Sequence, residues 1–139
     1  MLLSMSYRHH NDIKNMNTLA IDFGQKRIGL AWVQEGLDVI LPFGVIAHDT
    51  WKTALPQLIE EEGIQNVVVG NPLSMDGGEN ANTVRIREFA TMLETLTSVP
   101  VVLYDERFSS KQADAMGGTA TRDEKSAMVI LQSYMESLK

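Results

Sequence analysis

Acidic residues stand at three places in the sequence where a strand is expected to end or a helix to begin. Asp22 lies near the end of the apolar run LAIDF, Asp105 and Glu106 follow PVVLY, and Asp123 opens the last helical pattern. Because ligands bind beyond the carboxyl ends of parallel strands, we expect these acids to lie at one sheet edge. Alternation along the strand directs only one of Asp105 and Glu106 the same way as Asp22, and the pattern does not say which.

Three carboxylates at one edge predict a metal-assisted hydrolysis. Like charges repel unless a cation neutralises them or some of the carboxyls hold protons. Magnesium is bound by a few carboxylates and keeps waters and phosphates as its other ligands, and a pair of such ions activates water and stabilises a leaving oxygen. Phosphodiester hydrolysis is the chemistry that fits. For Asp123 there is a simpler alternative, which is to complement the positive end of its helix.

The order of apolar patterns predicts an α/β fold. Strands are expected over residues 18–23, 27–33, 37–47, 66–70 and 100–104, and helices over 50–62, along the pattern Ile86 to Leu96, after residue 107 and after Thr121. The first three strands read as an antiparallel meander, and the unbroken valines of NVVVG are typical of a parallel strand covered on both faces. We therefore expect a mixed five-stranded sheet with helices on both faces.

Local signals refine three of the helices. Pro56 either kinks the first helix or marks its start. Ser109 with Gln112, and Thr121 with Glu124, have the spacing of capping boxes, so helices should begin at both places. Gly117 and Gly118 are expected to end the helix that follows Ser109.

Length and composition indicate a single domain. The chain has 139 residues, 44% of them hydrophobic, which suffices for one core; we assign residues 17–139 to it and residues 1–16, with His9 and His10, to a flexible extension. The lack of cysteine excludes disulfides, a thiol nucleophile and a thiolate zinc site. No apolar run has the length of a membrane span or the pattern of a signal peptide, so we expect a cytoplasmic protein with no membrane partner.

Short basic clusters interrupt a chain whose formal net charge is −6, a balance that argues against one broad basic face. Each cluster also suits an ordinary solvated surface. Lys26 and Arg27 either meet a phosphate or form an exposed hairpin tip, and Arg107 either contacts phosphate or pairs with a carboxylate. The loop 71–80 borders the same edge, and its glycines serve either substrate or the turn itself. His48 is expected to be structural.

Four segments together resemble the YqgF/RuvX family of RNase H-like proteins, described as Holliday junction resolvases and as pre-16S rRNA processing nucleases. They are IDFGQKRIGLA, VVVGNPLSMDGGENANTVRIREFA, DERFSS and the closing D-x-x-S-A-x-x-I-L-Q, and the similarity runs from Leu19 to Tyr134. It implies an RNase H-like sheet and a catalytic, metal-binding triad, here Asp22, Glu106 and Asp123, which takes two Mg²⁺ or Mn²⁺ ions. It also favours Glu106 over Asp105.

The resemblance further implies a function and partners. The expected activity is that of a metal-dependent endonuclease that processes the 5′ end of pre-16S rRNA in ribosome biogenesis, with a ribosome precursor as partner. The alternatives are resolution of Holliday junctions in branched DNA and a nucleic-acid-binding assembly factor that does not cut. A resolvase needs two active sites, so a monomer and a homodimer both stay open. Contacts to nucleic acid are expected from Lys26, Arg27, Asn71, Arg85, Arg87, Arg107 and Lys111.

Two further comparisons limit the prediction. Family members usually carry a longer, lysine-containing loop before the last acid, whereas residues 117–122 read GGTATR, so we expect a mobile loop and a weaker grip on nucleic acid. An Asp-x-Gly turn after a first strand also occurs in sugar kinases and actin-like ATPases. Those folds need two related domains and roughly 300 residues, about twice this length.

Overall fold

A computed structural model describes residues 16–73, 76–106 and 119–138. Its strands are β1 (Thr18–Phe23), β2 (Arg27–Val33), β3 (Ile40–Ala47), β4 (Asn66–Asn71) and β5 (Val101–Asp105). Its helices are α1 (Trp51–Glu61), α2 (Ala81–Leu96) and α3 (Arg122–Ser137), with a 3-10 turn at His48–Thr50 before α1. The predicted extension up to residue 15 and the predicted helix after residue 107 lie outside the described residues.

The five strands form one mixed sheet in the order β3-β2-β1-β4-β5. β1 pairs antiparallel with β2, and β2 with β3, whereas β4 runs parallel to β1 and β5 parallel to β4. The predicted fold class is confirmed. Because β1, β4 and β5 are parallel, their carboxyl ends meet at one edge of the sheet, which we call the carboxyl edge.

Helices cover the sheet on both faces. α1 and α2 pack on one face against the side chains of Leu19, Ile21 and Phe23. α3 packs on the other face against Ala20 and Val68, through Ile130, Leu131 and Tyr134. Side chains alternate along β1, so Asp22 shares the α3 face with Ala20. Among the described residues, no helix combines the length and the apolar content that crossing a membrane requires.

Helix starts were predictable where a capping residue stands in the sequence. Glu124 N donates to Thr121 Oγ1 at 3.1 Å, and Thr121 N donates to Glu124 Oε1 at 2.9 Å, which confirms the capping box of α3. A second box, Asn80 with Thr83, starts α2. α1 begins at Trp51 and contains Pro56, so the alternative start at Pro56 is wrong.

β3 begins three residues later than predicted. Its first pair is Ile40 with Val33, and the preceding residues form a turn in which Leu37 N donates to Gln34 O at 3.0 Å. Gly36 in that turn has a φ of 79°. Leu37 and Val39 are apolar but about half exposed, at 49% and 57%, so hydrophobicity alone was misleading there.

Candidate active site

Asp22, Glu106 and Asp123 lie on the α3 face of the carboxyl edge. Asp22 is the fifth residue of β1, Glu106 directly follows β5, and Asp123 is in the first turn of α3. Glu106 stays in line with its strand because its N–H donates to Asn71 O at 3.2 Å. Across the sheet, Asp123 lies over β2, Asp22 on β1, and Glu106 over β4, so Asp22 is the middle member.

Two glycines make room for the outer two acids. Gly29 is the antiparallel partner of Asp22, and a Cβ at Gly29 would collide with the backbone carbonyl of Asp123. A Cβ at Gly70 would collide with Oε2 of Glu106 and with Ile130 of α3. The strands on either side of Asp22 therefore carry no side chain where α3 and Glu106 approach the sheet.

Burial and like charge both act on Asp22. Its half-buried position raises the pKa of its carboxyl, and the nearby Asp123 raises that pKa further. A hydrogen bond from the Ser126 side chain favours the charged form and lowers the pKa in part. Ser126 lies three residues after Asp123 on α3, so one helix face supplies both the repelling acid and the stabilising hydroxyl.

Glu106 is the most perturbed acid of the site. Burial raises its pKa to about 7, with smaller contributions from the charges of Asp22 and Asp105. Glu106, which lies against Gly70, shares the α3 face with Asp22, whereas alternation along β5 directs Asp105 to the opposite face. The structure thus places Glu106, and not Asp105, on the same face of the sheet as Asp22.

The first turn of α3 is attached to the β2–β3 hairpin by two polar contacts. Arg27 Nε donates to Asp123 Oδ2 at 2.8 Å, and Gly44 N donates to Glu124 Oε2 at 2.8 Å. The hydrogen bond from the Thr121 backbone lowers the pKa of Glu124 most; burial raises that pKa in part, and the Thr121 hydroxyl and the Gly44 backbone lower it further. These contacts fix where Asp123 stands relative to Asp22.

The donor set fits a hard divalent cation. All three side chains offer carboxylate oxygens, and a cation beside them would favour the charged forms that burial disfavours. Within residues 16–73, 76–106 and 119–138, no three acidic or histidine side chains are already arranged around one point as ligands of a single ion. Asp22 instead has one acid on each side, Asp123 and Glu106.

The predicted nucleic-acid contacts divide into several groups. Lys26 is exposed at the β1–β2 turn, whereas Arg27 pairs with Asp123. Arg87 pairs with Glu79 on the surface. Arg107 and Lys111 lie outside the described residues.

Two of the predicted contacts, Arg85 and Asn71, lie on the face of the sheet that α1 and α2 cover, and not on the α3 face. The guanidinium of Arg85 lies over the Phe23 ring, 5.2 Å from its centroid. Asn71 ends β4 and is 8% exposed, and Oδ1 of its side chain has no hydrogen-bond partner among the residues that the structure describes. Alternation from Gly70 directs this side chain to the face opposite the carboxylates.

Several residues of the site were missed by sequence reasoning. Ser126 was visible in D-x-x-S-A, but only the structure shows that it bonds Asp22. Gly29 and Gly70 gave no signal beyond being glycines in strands, which suggests a close backbone approach without naming the partner. His48 was predicted to be structural, and its Nδ1 lies 2.9 Å from Gly24 O.

Proteins of similar sequence carry names that describe a nuclease. The chain is 34% identical over 138 residues to a protein of Dictyoglomus turgidum named "Putative pre-16S rRNA nuclease", covering 88% of this chain and 96% of that protein. A Chlamydia trachomatis serovar L2 protein of the same name is 36% identical over 137 residues, with 87% and 92% covered.

A solved structure agrees in fold. RuvC of Thermus thermophilus, in complex with a Holliday junction substrate, superposes with a TM-score of 0.62 at 15% identity over 88% of this chain and 94% of that one. This likeness confirms the RNase H-like fold. The family model RuvX, described as Holliday junction resolvase, matches residues 16–137, and the chain therefore belongs to the RuvX family of nucleases.

Proposed function

We propose that this protein hydrolyses phosphodiester bonds in structured nucleic acid at Asp22, Glu106 and Asp123, and that its substrate is the 5′ end of pre-16S rRNA within a ribosome precursor in the cytoplasm. The observation that carries the proposal is the position of Asp22 between two further acids on one face of the carboxyl edge. The names of the relatives support the choice of RNA.

Asp22, Asp123 and Glu106 would hold the divalent ions. When bound, Mg²⁺ or Mn²⁺ would supply an activated water and stabilise the leaving oxygen. The chain's own part is to hold the acids in place: the Ser126 hydrogen bond favours the charged form of Asp22, and Gly70 leaves space for Glu106. Arg27 balances the charge of Asp123 and is placed to meet a substrate phosphate.

The test is a cleavage assay on the wild type and two matched variants. Asp22→Asn removes the central charge without changing the shape of the side chain, so we expect loss of cleavage with a thermal unfolding midpoint that does not fall, because burial and Asp123 disfavour the charged Asp22 carboxylate. Asp105→Asn removes a neighbouring charge on the opposite face and should keep activity. Cleavage that persists in Asp22→Asn, or that is lost equally in Asp105→Asn, would contradict the assignment.

The substrate is decided in the same assay. Precursor 16S rRNA and a four-way DNA junction are offered side by side with Mg²⁺, with Mn²⁺ and with a chelator. The description of the family favours the junction as second candidate, and resolution of it would require a homodimer that presents two sites. Binding of RNA without cleavage under every condition would instead identify a non-cutting assembly factor and refute the proposed hydrolysis.

A further inference from the structure

The opposite face of the carboxyl edge holds a cavity next to Phe23, the residue that follows Asp22. It has a volume of about 160 Å³ and is lined by Phe23, His48, Trp51, Lys52, Arg85 and Met92, among others. We call it the edge pocket. Pockets for drug-sized ligands start at roughly 300 Å³, so the edge pocket has room for one small ring system.

The edge pocket and the carboxylates share one end of the sheet. His48 Nδ1 lies 2.9 Å from Gly24 O, and His48 N donates to Lys26 O at 3.0 Å, which places His48 against the turn that follows Asp22. Arg85 reaches the same place from the N-terminal part of α2. A chain that passes over Gly24 would therefore reach both the carboxylates and the edge pocket.

The lining combines an aromatic wall with cations, which suits a flat aromatic group attached to an anion. Phe23 stacks on Phe89 with centroids 3.9 Å apart and contacts the His48 ring at 4.8 Å, and Trp51 meets Phe89 edge-on at 4.6 Å. The guanidinium carbon of Arg85 lies 5.2 Å from the Phe23 centroid. Lys52 and Arg85 outnumber the one carboxylate of the lining, Glu88. Nucleobases stack on aromatic rings and on arginine planes, and their phosphates take up such cations.

We propose that the edge pocket binds one unpaired nucleobase of the nucleic acid whose phosphodiester lies at the carboxylates, an inference that rests on the proposed function. A base inside a duplex is stacked between its neighbours and is not available to the pocket. The enzyme therefore selects a single-stranded end, a bulge or a flipped nucleotide beside the cleaved bond.

The two tryptophans of the chain provide a direct measurement. Trp51 lines the edge pocket, whereas Trp32 packs on Phe43 with centroids 4.5 Å apart. In an Asp22→Asn, Trp32→Phe variant with Mg²⁺, Trp51 is the only fluorophore of its kind and no cleavage interferes. The variant is titrated with a single-stranded oligoadenylate decamer and with an abasic decamer of the same charge. We expect the first to quench Trp51 and to bind about tenfold more tightly, as stacking of a base would give.

Variants of the lining locate the bound base. Arg85→Ala should bring the affinity ratio of the two decamers close to one, whereas Arg122→Ala, with the same change of charge at the start of α3, should leave that ratio unchanged. Met92→Glu puts a carboxylate at the mouth, where Met92 is 43% exposed, and should abolish the ratio without disturbing the core. This second variant keeps the test valid if Arg85→Ala fails to fold.

The outcomes separate this proposal from the proposed function. Equal affinity for the two decamers, or base-dependent binding that leaves Trp51 fluorescence unchanged, overturns the edge pocket even if the wild type cleaves RNA. Base-dependent quenching of Trp51 that is lost in Arg85→Ala and in Met92→Glu supports the edge pocket. This holds even if the wild type cleaves none of the substrates, because that result refutes only the proposed hydrolysis.

Discussion

Arg27 Nε lies 2.8 Å from Asp123 Oδ2, so the first residue of β2 holds the third acid of the candidate site. The side chains are 63% and 30% exposed, and water screens their attraction. A divalent ion that binds Asp123 must compete with this guanidinium for the carboxylate. Arg27 therefore acts as a counter-ion of the site, in addition to any contact it makes with substrate.

Replacement of Arg27 should strengthen metal binding. In Arg27→Ala the competing cation is gone, and we expect Mn²⁺ affinity to rise by up to about fivefold, the equivalent of an exposed ion pair. The free energy of unfolding should fall by less than about 1 kcal/mol. Isothermal titration calorimetry with Mn²⁺ measures the affinity, and Arg27→Lys, which keeps the charge, is the control. Weaker Mn²⁺ binding in Arg27→Ala would show that Arg27 organises Asp123 rather than competing for it.

Loss of the Ser126 hydroxyl should raise the pKa of Asp22 further, since the hydrogen bond from Ser126 is what lowers it. In Ser126→Ala the charged carboxylate is less favoured, and Mn²⁺ affinity in mildly acid solution should fall about tenfold, as for loss of a hydrogen bond to a charged group. Carbon-13 NMR of the Asp22 carboxyl follows the titration. Ser133→Ala is the matched control, because Ser133 bonds the Tyr104 hydroxyl at 2.7 Å elsewhere on α3. An unmoved Asp22 titration would argue against the role of Ser126.

The raised pKa of Glu106 predicts an unusual dependence of stability on pH for the metal-free protein. Its pKa is about 7 in the folded state against 4.5 ordinarily, so the folded state holds a proton that the unfolded state has lost between these values. The contribution of Glu106 to stability is full below pH 4.5 and falls as pH rises towards 7, by up to about 3 kcal/mol. Asp22 contributes in the same direction.

Urea unfolding in the presence of a chelator, at a series of pH values, measures the slope of the unfolding free energy against pH. In Glu106→Gln, the part of the slope that comes from residue 106 should vanish. Mn²⁺ must displace the same proton, so its affinity for the wild type should drop about tenfold per pH unit below 7. A wild-type stability that rises between pH 4.5 and 7 at the same rate as in Glu106→Gln would refute the assigned pKa.

Gly70→Ala should damage the site while leaving all three acids in the sequence. The added Cβ collides with Glu106 Oε2 and with Ile130, and we expect a loss of about 1 to 3 kcal/mol in unfolding free energy, as for overpacked cores. Mn²⁺ binding should weaken with it. In a Glu106→Ala background one of the two collisions is absent, so the same substitution should cost less stability there. Equal costs in both backgrounds would assign the whole effect to Ile130.

Much of this fold could be predicted because its strands and helix starts follow local sequence patterns. The valines of β4 are buried on both faces, as an unbroken apolar run predicts, and the Thr121–Glu124 box starts α3 where its spacing indicates. The edge strand β3 was less predictable. Leu37 and Val39 belong to an exposed turn, and only the pairing of Ile40 with Val33 fixes where the strand begins.

The three acids of the candidate site could be named from the sequence, but the residues that support them could not. Asp22 and Asp123 were found by their places at a strand end and in a first helical turn. The choice of Glu106 over Asp105 needed either family resemblance or the register of β5. The contacts of Gly29, Gly70 and Ser126 join segments far apart in the chain, and no local pattern encodes them.

The Arg27–Asp123 contact spans 96 residues of sequence, nearly the whole length of the domain. Closing such a loop comes late in folding, because the entropy lost on joining distant segments is repaid only after both have formed. In a nascent chain Asp22 is present long before Asp123 has been synthesised. The candidate site therefore stays incomplete until α3 has been made and has packed on the sheet.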